Sequence, residues 1–452
     1  MHAALSERRR HRARSDGRRS RLSLILRPIV AAFSLFLLTA CSTLQAPVLD
    51  QASFQGMSAL ASAATEQRPL EVLIIHGIGT PAPYQFEGFI QSIAQRLRLV
   101  QVTTGPSVPQ NSGCHPTDPA FAALVHPAPM PISIAGVPDQ DRAELYTYSF
   151  GPSPDGPVTL RVNYLLWAPL TEGIKCKLAK DDDKAPPKQA FANVARDFID
   201  NNLGDVVLYG GTFRDNVMRP SVQAALCLVT RGTPSPDGKT CAPGAYSDPT
   251  VIITHSLGGY MLMDAIDYEL REQKCDDALG TSAAAKILAN TDYIYMMANQ
   301  IALLDLSRLR VYPHQPESAR PQLQSDDAAP GSEIANRFAK CWTAIPPKPR
   351  PLFEANGVAL PPAAKQIVAF TDPNDILSWR LRRKDLGVPR PDRRSVELTN
   401  VYMSNGEASV PGLVSDPVKA HTGYFDNPTV MTLLLCGANN GAASQCPPTV
   451  VP

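Results

Sequence analysis

"TVIITHSLGGYML", residues 250–262, is a buried strand that turns sharply into a helix, with a serine at the corner. The run Val251-Ile252-Ile253 is apolar without alternation, as in a strand covered on both faces. Beyond Ser256, residues Leu257, Met261, Leu262, Ile266 and Leu270 recur at helical spacing. Gly258 and Gly259 stand where the first turn of such a helix must pass close to the sheet. A serine in this position has two possible roles, an exposed nucleophile or a cap for the helix N-terminus.

The same grammar extends outward. "PLEVLIIHGIGT" (69–80) is another continuous apolar run, followed by Phe86, Phe89, Ile90, Ile93, Leu97 and Val100 at helical spacing, which predicts a helix over 85–100. "ELYTYSF" and "VTLRVNYLLW" form a hairpin pattern across "GPSPDG". "GDVVLYGG" (204–211), "DYIYMMANQIALL", "KQIVAFTDPND" and "VELTNVYMS" are strand-like, a helical stretch broken at Pro220 lies between, and "PTVMTLLLCG" is a closing helix. Strands alternating with helices predict an α/β fold with a mostly parallel sheet flanked by helices, and its ligand site at the carboxyl edge of the strands. With 43 prolines in 452 residues, long irregular connections are expected, near 102–142, 228–248 and 312–362. The expected folded domain is 68–440, with a flexible tether at 41–67 and a C-terminal tail at 441–452.

"THSLGGY" resembles the nucleophile turn of the α/β-hydrolase superfamily, in particular the "GHSLGG" of lipases and esterases, with Thr254 in place of the first glycine. A β-branched residue is comfortable at a strand end, so the departure is tolerable there. The resemblance touches scattered motifs between about residues 70 and 435. It implies an α/β-hydrolase fold with disulfide-stapled insertions, Ser256 as nucleophile, and an acid then a histidine downstream. After Ser256 the histidines are His314, in a proline-rich stretch, and His421, between the last strand and the closing helix where this family carries its base. Asp372 and Asp375 both follow the strand "QIVAF". Asp375 is preferred because "NDIL" resembles the acid segment of bacterial lipases, while Asp372 precedes Pro373 and suits a turn cap. The oxyanion hole is assigned to the backbone N–H groups of Leu257 and, since "HGIG" resembles the lipase oxyanion loop, of Ile78.

Rival chemistry is weaker. "GIGTPA" meets a loose dinucleotide fingerprint, but Pro81 and Pro83 stand where the phosphate-binding helix should run and no acid follows at the right distance. "KDDDK" (180–184) is read as a solvated loop, and Asn299 as a core amide or a backbone tie near the site. No CxxC occurs, so no metal site is assigned, and no cofactor is expected.

The N-terminus carries nine arginines between Arg8 and Arg27, then thirteen uncharged residues, "PIVAAFSLFLLTA", and Cys41. "LTAC" resembles the bacterial lipobox, which implies a lipoprotein signal peptide over 1–40 and acylation of Cys41, with Ser42 favouring the outer membrane. The expected location is therefore the cell envelope, lipid-anchored and facing the periplasm or exterior. Export removes the arginines, so of 43 basic and 42 acidic residues the remainder keeps 34 and 40, a balance unsuited to gripping nucleic acid. Eight cysteines remain, Cys114, Cys176, Cys227, Cys241, Cys275, Cys341, Cys436 and Cys446, and proximity favours pairing Cys227 with Cys241 and Cys436 with Cys446.

These readings converge on a lipid-anchored serine hydrolase that cleaves an acyl ester or lipid substrate through an acyl-enzyme. A thioesterase or acyltransferase of the same fold, or a non-catalytic envelope lipoprotein acting as a binding module, are the alternatives.

Overall fold

The structure, a computed structural model, describes residues 46–102, 127–182, 196, 199–271, 282–304, 333–344, 354–355, 358–359, 365–386, 396–405, 417–439 and 442–443, apart from 52 and 80–82. A 10-stranded sheet organises them. Its strands are β1 (Val48–Leu49), β2 (Leu70–Ile75), β3 (Val100–Gln101), β4 (Met130–Ile132), β5 (Ala143–Gly151), β6 (Leu160–Leu166), β7 (Thr250–His255), β8 (Thr291–Met297), β9 (Gln366–Thr371) and β10 (Glu397–Tyr402). The spatial order is β1-β10-β9-β8-β7-β2-β6-β5-β3, with β4 also beside β5. From β10 across to β6 every neighbouring pair is parallel. The β5–β6 hairpin and the short edge strands β1, β3 and β4 pair antiparallel.

Parallel strands buried on both faces explain the unbroken apolar runs, because successive side chains feed opposite cores. Val251 and Ile253 of β7 join one core, and Ile252 joins the other. The first core is closed by α1 (Pro83–Arg96) and the closing helix α9 (Pro428–Cys436). The second is covered mainly by α4 (Arg219–Val229), α5 (Leu257–Leu270), α6 (Ala283–Asn290) and α7 (Glu333–Ala344). Helix α5 is buried nearly all round because it sits between the sheet and its helical neighbours, and its buried residues include Asp264 and Asp267. Helices α2 (Pro169–Asp182), α3 (Gly204–Gly210) and α8 (Pro417–Thr422) complete the frame used below.

The winding locates the site. The chain runs from β2 to β6 on one side, then crosses to β7 on the other side of β2 and continues through β8, β9 and β10 in that direction. The two directions part between β2 and β7, so the loops leaving those strands diverge and open a crevice at the carboxyl edge. "HGIG" leaves β2 and Ser256 leaves β7, both at that edge.

Several sequence expectations need correction. Residues 48–64 are not a tether: β1 pairs with β10, Phe54–Gln55 pairs with Gly437–Asn439, and Phe54, Met57 and Leu60 are buried. Their Ala and Ser content hid a segment held by long-range pairing and not by its own periodicity. The fold likewise runs past 440, since Ala442–Ala443 pairs with Gly437–Asn439. "GDVVLYGG" is helix α3, not a strand; four apolar residues in a row do not separate the two states. Lys180-Asp181-Asp182 ends helix α2 and is not part of a loop. Within the expected insertion at 312–362, α7 buries Phe338 and Trp342 in the main core as the crossover helix that a parallel β8–β9 connection needs. At 102–142, Met130–Ile132 extends the sheet. Pro83, taken as an obstacle to a helix, is its first residue, where proline is at home.

The stretch near 228–248 is a small hairpin, Thr233–Pro234 with Cys241–Ala242, stapled by the Cys227–Cys241 disulfide. Cys176, Cys341 and Cys436 are disulfide-bonded as well. Cys41, the arginine-rich N-terminus, Cys114, Cys275, Cys446 and His314 lie outside the described residues. Among the described residues no helix is long and apolar enough to cross a membrane.

Candidate active site

Ser256 takes φ +53°, ψ −125°, a backbone conformation that costs on the order of 1–3 kcal/mol for a non-glycine residue. Its side chain makes no capping hydrogen bond to α5 although the residue occupies the N-cap position. Of its two possible roles the cap is therefore the one not taken. Packing enforces the strain: the Ser256 N–H donates to Met297 O at 2.8 Å, and a Cβ on Gly258 would lie 2.4 Å from His76 O and 2.5 Å from Ile75 O. Only glycine lets the first turn of α5 press so closely on the end of β2. Thr254, the departure from the lipase pattern, is buried on β7 with its Oγ1 3.0 Å from where a Gly259 Cβ would stand, so the second glycine makes room for it.

The Ser256 hydroxyl meets His421 of α8, Oγ to Nε2 3.0 Å. On the far side of the ring, His421 Nδ1 lies 2.9 Å from Asp375 Oδ1 and 3.0 Å from Oδ2. A carboxylate accepts only, so Nδ1 carries the proton and Nε2 is left to accept from the serine. Asp375 is buried, and its Oδ1 also accepts the Leu377 N–H at 2.9 Å. Residues 165 and 46 positions apart from His421 thus form one hydrogen-bonded line.

Asp372 lies close by but faces elsewhere. Its Oδ1 accepts the Asn374 N–H at 2.8 Å and its Oδ2 the Asn405 N–H at 2.6 Å. It ties the β9 turn to the chain after β10, and Asn405 in turn donates to Ala420 O beside His421. Asp372 is the turn cap that Pro373 foreshadowed.

Three residues in or beside the motifs have duties the sequence left unread. His255 is buried and directs Nε2 at His421 O, 2.8 Å away, so this nitrogen carries its proton and holds the backbone of His421. Burial, then the neighbouring His421, lower its pKa to about 3. His76 accepts the Trp167 N–H at Nε2 (3.1 Å) and directs Nδ1 at Gly77 O (2.8 Å), and its ring stacks on Trp167 at 4.6 Å. Burial lowers its pKa to about 3 too. Tyr424, three residues after His421, accepts the Asp372 N–H at 2.7 Å and points its hydroxyl at Asp375 Oδ2, 3.4 Å away. Burial first, then the nearby carboxylate, push its pKa well up, so it stays a neutral donor. The signal for all three was adjacency to motif residues, which without coordinates does not separate a functional group from filler.

Of the assigned oxyanion donors, Leu257 is the first residue of α5, where a backbone N–H has no intrahelical acceptor. Gly77 approaches so closely that a Cβ there would be 2.5 Å from Ser256 Cβ, so the loop leaving β2 passes directly against Ser256. Asn299 is the backbone tie: it accepts the Ile301 N–H and donates to Trp379 O, joining the end of β8 to the loop after Asp375. The dinucleotide reading loses further ground, because the Gly79 N–H is taken by the carboxylate of Asp205, which would repel a phosphate. Among the described residues no group of His, Cys, Asp and Glu could hold a metal ion. No protein family, curated protein or solved structure matches this chain.

Proposed function

We propose that this chain is a serine ester hydrolase of the α/β-hydrolase type, of lipase or carboxylesterase character. The observation that carries the reading is the line Ser256 Oγ, His421 Nε2, His421 Nδ1, Asp375 Oδ1, with steps of 3.0 and 2.9 Å. It stands at a strained strand-to-helix corner and at the switch point of a parallel sheet. The strand order supports the fold assignment, with the serine strand central and the β2 loop beside it.

In this reading Ser256 Oγ attacks the ester carbonyl carbon while its proton passes to His421 Nε2. The carbonyl electron pair moves onto oxygen, held by the N–H groups of Leu257 and Ile78. Collapse breaks the bond to the alcohol, which takes the proton from Nε2, and leaves an acyl group on Ser256. Water repeats the sequence: its proton goes to His421, its oxygen bonds the acyl carbon, and the acid departs as Ser256 regains its proton. Asp375 holds the Nδ1–H tautomer and stabilises the imidazolium formed in each half.

The experiment is labelling of the purified protein by a fluorophosphonate probe together with hydrolysis of short-chain p-nitrophenyl esters. Ser256→Ala should lose both with an unchanged melting temperature, and retained turnover in that variant would remove the assignment. The envelope location rests on the lipobox resemblance: Cys41→Ala should free the protein from membranes, and unchanged membrane extraction would count against acylation.

A further inference from the structure

We propose that Asp205 is a positioning residue for the oxyanion loop, acting from α3 through the backbone of Gly79; the inference rests on the hydrolase reading above. Asp205 is fully buried, and its Oδ2 accepts the Gly79 N–H at 2.7 Å. Lys175 of α2 lies against the same carboxylate, Nζ to Oδ1 2.9 Å and to Oδ2 3.1 Å, and is 4% exposed. Neither α2 nor α3 supplies a member of the Ser256, His421 and Asp375 line, yet together they place a buried ion pair against the loop that does border it.

The loop needs such a hold. Gly79 has φ +83°, open to glycine and unfavourable for other residues, so the chain around it has many alternative conformations. Its upstream end is already fixed, because His76 is bonded to Trp167 and Gly77 is pressed on Ser256 and His255. Asp205 fixes the downstream end. The Ile78 amide sits between these two anchors, one residue, or roughly 3.8 Å along the trace, from the clamped Gly79. A buried ion pair is often no more stabilising than an apolar pair of similar volume, so stability alone gives little reason to keep one here. A charge-assisted acceptor is roughly twice as strong as a neutral one, which suits a clamp on a single amide. The Lys175 stem runs beside the start of α3: a Cβ added at Gly204, the residue before Asp205, would lie 3.5 Å from Lys175 Cγ and Cδ.

Two double variants separate the clamp from the ion pair. Asp205→Asn with Lys175→Met and Asp205→Leu with Lys175→Met both remove the ion pair, but only the first leaves an oxygen that can accept the Gly79 N–H. With a p-nitrophenyl ester as substrate, the leucine pair should lose about 10- to 100-fold in kcat with little change in KM. That is a fraction of the ~10²–10³ attached to an oxyanion donor. The asparagine pair should stay within about threefold of wild type. Equal rates in the two pairs, both fast or both slow, would overturn the proposal. A second reading needs no turnover: the Gly79 amide should be protected from hydrogen exchange in wild type and in the asparagine pair, and unprotected in the leucine pair. Fast exchange at Gly79 in wild type would overturn the proposal even if the leucine pair fails to fold. Failure of the hydrolase reading shows differently, as wild-type protein that takes up no fluorophosphonate, and the exchange comparison still decides the clamp.

Discussion

Replacing each candidate acid by its amide separates the two aspartates, because their oxygens face different donors. His421 Nδ1 lies 2.9 and 3.0 Å from the two Asp375 oxygens, and Oδ1 also accepts the Leu377 N–H, so an amide that keeps its carbonyl oxygen on these donors sets its NH2 beside the Nδ1–H. Asp375→Asn therefore removes the negative charge and also sets a donor against the Nδ1–H tautomer. Two unit charges about 4 Å apart interact by about 4 kcal/mol at an effective dielectric constant of about 20, and each ~1.4 kcal/mol is a factor of ten in rate. The imidazolium-forming step should therefore slow by about 10³-fold from the lost charge alone, and toward the ~10⁴ that follows when an amide also imposes the wrong tautomer. At Asp372 both oxygens face backbone N–H groups, of Asn374 and Asn405, so an amide must turn its NH2 against one of them. Asp372→Asn should cost about 1–3 kcal/mol of stability, the penalty for a donor left without its acceptor, with turnover within about tenfold of wild type. Ester hydrolysis under saturating substrate and urea unfolding of the two variants are the measurements. A stable, active Asp375→Asn beside an inactive Asp372→Asn would refute both the assignment and the charge argument.

Ser256→Gly should be inactive yet more stable than Ser256→Ala by about 1 kcal/mol in urea unfolding, because glycine relieves the φ of +53°; equal stability would mean the corner holds no strain. His76 is neutral when folded, with a pKa of about 3, but in the unfolded chain it binds a proton below about 6.5. Its contribution is therefore fully present above about pH 6.5 and is lost as pH falls toward 3, at about 1.4 kcal/mol per unit. Stability of His76→Gln should accordingly depend on pH between 6 and 5 less steeply than wild type by about that slope, and equal slopes would show that the buried ring is protonated. Replacing Cys227 and Cys241 by serine opens a short loop and should cost about 3 kcal/mol while leaving ester turnover unchanged, since the hairpin they staple supplies no residue to the Ser256 line.

What the sequence determined by itself was local or periodic. Unbroken apolar runs announced strands covered on both faces, helical spacing announced α1 and α5, and the small residues after Ser256 announced a corner, because each depends on neighbours within a few positions. Ser256 and His421 were legible as candidates for the same reason, one from its motif and the other because the downstream histidines were so few. Only the tertiary structure set Asp375, and not Asp372, against His421. The two lie three residues apart in one turn, and their roles depend on which donors the chain after β10 and helix α8 bring to them. Only the tertiary structure likewise drew residues 48–64 into the fold, turned "GDVVLYGG" into a helix and set Asp205 against Gly79, 126 positions away. Such contacts leave no periodic trace, because the partner that fixes each residue is distant in the chain and becomes its neighbour only when the sheet has formed.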